Sequence, residues 1–200
     1  MASVNGCVAW LPKAESLLSL GVSVIMKFAI WLGFATLLAA NYAEANVCGS
    51  LKNHYGPFDY RYRRDALIRV EQYHFTPAVE ALIRGKSTNT TYGFAEDISY
   101  LMNTSPNHHR GLMAIMRLVE RDQNPQPPRL EYSIDCYFER ATRFAPDDVV
   151  VRMLFARYLG KHGKTEEAAK QLKLAGRHAK ENALTHHNIG LMYEELGLLE

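Results

Sequence analysis

The chain lacks the short signatures from which most catalytic readings start. Its 200 residues contain no H-E-x-x-H, no G-x-S-x-G, no phosphate-binding loop and no dinucleotide-binding glycine fingerprint. The chemistries those spacings build therefore have no foothold. Cysteine is scarce, with only Cys7, Cys48 and Cys136, and neither C-x-x-C nor C-x-x-C-H occurs. Thiol–disulfide exchange and covalent haem attachment are left without support. An excess of one charge is missing too: 23 Lys and Arg face 21 Asp and Glu, a formal +2. That field is too weak to favour nucleic acid or an anionic membrane surface. The basic cluster Arg61, Arg63 and Arg64 stands beside Asp59 and Asp65 and reads as a solvated face rather than a phosphate site.

A clean membrane span is also lacking. Residues 17–40 are long enough to cross a bilayer, but Lys27 falls in their middle, where a charge is costly. Met26-Lys27 instead opens an uncharged apolar run at 28–40, and Asn41-Tyr42-Ala43-Glu44-Ala45 ends it on a small-x-small pattern. A basic start, a short apolar stretch and an A-x-A ending describe a secretory signal. Residues 1–45 are expected to be a signal peptide that starts at Met26 and is cleaved after Ala45. Retention of residues 17–40 as a membrane anchor is the rival. Either reading puts the rest of the chain outside the cytoplasm, and the Met-Lys-led signal leans toward a bacterial source. The expected location is the periplasm, free or membrane-anchored.

Removing residues 1–45 takes two basic residues, two acidic residues and Cys7, so the balance stays at +2. Cys48 and Cys136 remain, an even pair in an oxidising compartment. A bridge between them would clip the irregular front segment onto the helical part of the chain; two unpaired, buried cysteines are the alternative.

Residues 46–106 read as an irregular and helical front region. Tyr55-Gly56-Pro57-Phe58-Asp59-Tyr60-Arg61-Tyr62 packs four aromatics into eight residues around a Gly-Pro break, which suits an extended strap over the first helices. An aromatic surface for peptide or glycan is the sharper alternative. Helices are expected over 64–73 and 78–84, the second with Thr76 as cap and Pro77 at its first position. Asn89-Thr90-Thr91 and Asn103-Thr104-Ser105 fit glycosylation acceptors. His54, His74, His108 and His109 gather in this half. A metal site drawing on His74, His108 or His109 with Glu71 or Asp97 would make the protein an envelope enzyme or metal-binding module, the alternative to a binding function carried by the rest of the chain.

The last third repeats every 34 residues. Ala156 and Gly190, Gly163 and Gly197, Phe138 and Leu172, and Ala141 and Ala175 all match at that interval. A fixed period of this size marks helical pairs that bury their apolar faces only against neighbours. Residues 149–182 read as two antiparallel helices. The first carries Arg152, Phe155, Ala156 and Leu159, a Gly-rich turn comes next at 160–164, and the second helix opens with Thr165 as N-cap and carries Ala168, Leu172 and Ala175. A next unit, 183–200, starts alike with His186, Ile189, Gly190, Tyr193 and Gly197 and breaks off before its second helix, so further repeats are expected beyond Glu200. An earlier, degenerate unit occupies 107–148, with helices over 109–120 and 132–145 and a proline-bearing turn about six residues longer than the period. Residues 95–102 read as half of a further one.

These residues resemble the tetratricopeptide repeat, whose W-x2-L-G-x2-Y and A-x3-F pattern they match at the Ala/Gly, Tyr and second-helix positions. They depart from it at the first aromatic, occupied by Arg152 and His186. The resemblance implies an all-α fold, a right-handed solenoid of helical hairpins, and a concave groove lined by first helices. By position the groove residues would be Val150, Met153, Arg157 and Lys161, then Leu184, His187, Leu191 and Glu194, with Asn188 at a place where the family often carries an ordering asparagine. Arg157 and Lys161 share a helical face and could hold a carboxylate. The implied activity is non-catalytic binding of a protein or peptide partner in the cell envelope, as a scaffold or adaptor with no cofactor, no resident metal and no nucleic-acid partner.

Overall fold

The computed structural model describes residues 48–82 and 93–198. The expected signal or anchor at 1–45, including residues 17–40, lies outside them, as does the Asn89 triplet. Among the described residues there are eight α-helices and no strand, so the chain is all-α there. No described helix is long and apolar enough to cross a membrane.

In chain order the helices are α1 (Arg64–His74), α2 (Pro77–Glu80), α3 (Phe94–Thr104), α4 (His109–Asp122), α5 (Ile134–Phe144), α6 (Val149–Lys161), α7 (Thr165–His178) and α8 (Ala183–Glu195). Most begin where a side chain satisfies a free backbone N–H. Thr76 accepts from Val79 N before α2, Ser133 from Cys136 N before α5, and Asn182 from Thr185 N before α8. Thr165, the expected cap of α7, is instead its first helical residue. Lys164 precedes it and offers no side-chain acceptor, so Glu166 and Glu167 in the first turn are left to complement the positive helix end. The second front helix is shorter than expected: α2 stops at Glu80, and Leu82 turns left-handed at φ 55°.

One apolar core runs from Val70 to Ile189. Ile98, Leu101, Leu112, Ile115, Leu118, Ile134, Phe138 and Leu172 are all fully buried in it, each contributing roughly 1.5–3 kcal/mol relative to exposure. Helices pack in sequence, α4 on α5, α5 on α6, α6 on α7 and α7 on α8, and α4 also packs on α6 across the intervening helix. The small residues Ala156 and Ala168 are 1% and 0% exposed, as a close α6–α7 approach requires.

The 34-residue period is repeated in the backbone bonding. Asp148 N donates to Ala145 O and Asn182 N to Ala179 O; Lys164 N donates to Leu159 O and Leu198 N to Tyr193 O. Gly163 and Gly197 both sit at positive φ, 72° and 69°, which a residue without a Cβ adopts freely at a helix end. Arg152 and His186, the departures from the aromatic position, also act alike. The Arg152 guanidinium donates to Pro146 O at 2.8 Å and 2.6 Å, and His186 Nε2 meets Lys180 O at 2.6 Å. Each thus ties its helix to the carbonyl six residues upstream. Arg152 reaches Gln171 on α7 as well, at 2.9 Å.

The front is held differently. Residues 48–63 form a non-helical strap joined to α5 by a disulfide between Cys48 and Cys136. Arg140, 2% exposed, donates to the carbonyls of Cys48 and Ser50 at 2.9 Å and 2.8 Å. Further along, Phe58 N donates to Thr104 O at 2.8 Å, and Tyr60 packs against the rings of His108 and His109 at 4.1 Å and 4.9 Å.

Candidate functional site

Two sets of residues invite a functional reading: the histidines of the front half and the first-helix face of the repeats.

The histidines do not converge. His74 Nδ1 lies 2.9 Å from Asp97 Oδ1, His108 Nε2 lies 2.9 Å from Glu71 Oε1, and His109 Nε2 lies 2.9 Å from Asp148 Oδ2. Each imidazole has its own carboxylate, and among the described residues no group of three or more His, Cys, Asp or Glu could hold a metal ion. His108 is fully buried, and burial pushes its imidazole down to about 4 despite the pull of Glu71. It is therefore neutral at pH 7. Its Nδ1 accepts from Gly111 N at 3.0 Å as the cap of α4, so Nε2–H donates to Glu71. Burial likewise pushes the Asp97 carboxyl above its usual range against the hydrogen bond to His74, and its second oxygen has no partner among the described residues.

A buried polar network surrounds the third pair. Asn107, 0% exposed, accepts from Tyr60 N through Oδ1 and donates through Nδ2 to Asp59 and Asp148 at 2.9 Å and 2.8 Å. Arg61 binds Asp59 at 2.7 Å and Asp147 at 3.0 Å. Burial raises the Asp59 carboxyl, but hydrogen bonds from Arg61 and Asn107 outweigh it and hold the group at about 2. The same balance, with His109 and Asn107 as donors, leaves Asp148 below its ordinary value. Within the basic cluster Arg61 is a clamp between strap and helices, while Arg63, paired with Asp65, and Arg64, 4.4 Å over the Tyr60 ring, lie exposed as expected of a solvated face. Opposite charges of strap and turn face each other here, which the linear sequence does not display. Asn103 is similarly occupied, since its side chain donates to Glu131 and accepts from Arg140. A glycan on that nitrogen would compete with the Glu131 contact.

The first-helix face is shallower and more open. Between α4 and α6 a depression of about 210 Å³ is bordered by Met113, Met116, Arg117, Leu154, Arg157 and Lys161. Between α6 and α8 another of about 230 Å³ is bordered by Ala156, Arg157, Gly160, Lys161, Met192 and Leu196. Gly160 marks a close approach, because a Cβ there would stand 2.6 Å from Leu196 Cδ2. Arg157 and Lys161 border both depressions. Lys161 Nζ is engaged by Glu120 at 3.1 Å, whereas no partner meets the exposed Arg157 among the described residues. Met153 is half-buried against the core. His187, Asn188, Leu191 and Glu194 are exposed on α8 and border neither depression.

Sequence reasoning passes over the α4 side of this face, although a signal is present. The caps His108 and Asp148 stand 40 residues apart, and that offset maps Met113 onto Met153 and Arg117 onto Arg157. The long turn hides the correspondence from a search at 34. Compared with known proteins, the chain matches no family model, no curated protein and no solved structure.

Proposed function

We propose that this is a tetratricopeptide-like solenoid that acts without catalysis, binding a peptide or protein segment along the face formed by α4, α6 and α8. The carrying observation is that two depressions share Arg157, an exposed cation with no partner among the described residues, flanked by Met116, Leu154 and Met192. Apolar borders would supply most of the affinity and the cation the orientation. The repeated hydrogen bonds at the 34-residue interval support the family reading. In this reading Lys161, His187, Asn188, Leu191 and Glu194 extend the contact along the rim, and the chain is exported and works in the cell envelope as a scaffold or adaptor.

Site-specific photocrosslinking in the native envelope tests it. A photoreactive residue at position 157 should give a discrete adduct, and one at the exposed Lys173 on α7 should not. Equal adducts from both positions, or none from 157, would reject the groove.

A further inference from the structure

Next to the groove lies a larger, half-open cavity, of about 610 Å³, bordered by the last turn of α4, the proline-bearing turn after it and the last turn of α6. The extra residues of the degenerate unit make its wall. Gln123, Asn124 and Pro125 belong to the longer α4–α5 connection and have no counterpart in the Gly-rich turn of the next unit. The cavity is therefore a property of this chain rather than of the regular repeat.

Its chemistry is mixed in a specific way. Met116, Val119, Pro125 and the Tyr158 ring give an apolar lining. Tyr158 is only 5% exposed, and no described residue hydrogen-bonds its hydroxyl, so an occupant that covered this group would have to supply a partner. Burial holds this phenol above its ordinary value, so it stays an O–H able to donate and accept. His162 stacks beside it at 4.4 Å and gives its Nδ1–H to Tyr158 O at 2.8 Å, which leaves Nε2 to meet an occupant. At the mouth stand Lys161 and Glu120, with Arg157 one helical turn before Lys161.

We infer that this cavity is an anchor pocket for one amphipathic aromatic side chain, tryptophan or tyrosine, of a peptide that carries a carboxylate next to it. An aromatic ring would cover the apolar lining, its N–H or O–H would meet Tyr158 Oη or His162 Nε2, and the neighbouring carboxylate would meet Arg157 and Lys161. A purely aliphatic side chain would fill the space and leave the tyrosine hydroxyl unpaired, which is the basis of discrimination. The volume falls in the range of sites that bury a compact ligand. This inference rests on the peptide-binding reading of the groove and specifies what that peptide contains.

The test is fluorescence anisotropy with the full chain and a labelled acetyl-Gly-Trp-Glu-Gly-amide peptide, read beside the backbone amide shifts of Gln123 and Asn124. Saturable binding with shifts at those two residues is expected, about 10-fold weaker when alanine replaces the peptide's tryptophan. Tyr158→Phe should weaken it roughly 5-fold, as the loss of one hydrogen bond does. His162→Ala, at an exposed position, should weaken it about 3-fold, within the same range. No saturable binding, equal binding of the alanine peptide, or shifts centred on Tyr62 and Tyr73 would overturn the proposal. If these fail while the position-157 crosslink persists, the pocket is rejected and the groove stands. If both fail, the peptide-binding reading goes with it.

Discussion

The two ends of the described chain reach the same all-helical architecture by different means. Up to residue 148 the structure buries Asp97, Ser99, Thr104, Ser105, Asn107, His108, Arg140 and Asp148; beyond it, among the described residues, only Arg152 is a buried polar side chain. The front is specified by polar pairs that join distant segments, Asp59 to Asn107 and Asn107 to Asp148 among them. The rear is specified by apolar spacing, with Ala156 against Ala168 and Leu172 and Ala175 on one stripe. A polar network fails when one member is removed, because its partners stay buried and unpaired. An apolar repeat loses stability piecemeal, each unit leaning on its neighbours. The front should therefore be brittle and the rear graded.

The largest test of that contrast is the disulfide. The bridge spans a separation of 88 residues, and in the chain-entropy model its loss costs about 4 to 5 kcal/mol. The Cys48→Ser/Cys136→Ser chain should unfold at much lower denaturant concentration. Hydrogen exchange should accelerate first at Phe58 and Tyr60 N–H, with α6 and α7 still protected. Uniform acceleration would mean the two regions unfold as one.

Leu172→Ala probes the other side. Leu172 is fully buried on α7, and deleting it leaves a cavity costing about 3 to 4 kcal/mol. The loss should appear as early exchange in α7 and α8, with the strap amides near their original rates. Early loss of the strap would contradict the division.

Acid acts on the front region. An imidazole held at about 4 in the fold, against an ordinary 6.5, resists a proton that the unfolded chain accepts. Its contribution is complete above pH 6.5 and is lost as pH falls toward 4, on the order of 2 to 3 kcal/mol across that window. Asp59, held near 2, adds a second loss only below pH 3.8. Urea unfolding from pH 7 to 4.5 should show stability falling with acid, and His108→Gln should flatten that slope. A slope unchanged by the substitution would place the titrating group elsewhere.

The same contrast governs what is legible in the sequence. Helices α4 to α8 are readable because their apolar residues recur at helical spacing and the units recur at 34, so the chain states its own packing twice. The strap is readable as aromatic and irregular, but not its attachments. Nothing in the order of residues says that Arg61 will meet Asp147 or that Arg140 will hold the carbonyls of Cys48 and Ser50. Contacts across 86 or 92 positions carry no period and leave no local trace. The cavity beside Tyr158 is hidden for a related reason. Its wall is an insertion, and a search tuned to the regular interval passes over what interrupts it.

The smallest effect is the sharpest discriminator, because the period supplies a matched pair. Asp148 and Asn182 are 34 residues apart, and each caps the first helix of its unit. Asn182 is exposed and accepts only from Thr185 N at 3.0 Å, so Asn182→Ala should cost about 1 kcal/mol, the ordinary value of a cap. Asp148 performs the same task for Val150 and Val151 N but is 1% exposed and also accepts from Asn107 and pairs with His109. Removing it leaves Asn107 with Asp59 alone and takes from His109 its carboxylate partner, all at a buried position. Asp148→Ala should therefore cost about 3 kcal/mol or more. Urea titrations of the two single variants and the double variant measure the difference. If the two caps cost the same, the buried network contributes nothing beyond helix initiation, and the front of the molecule is held by its disulfide and its core alone.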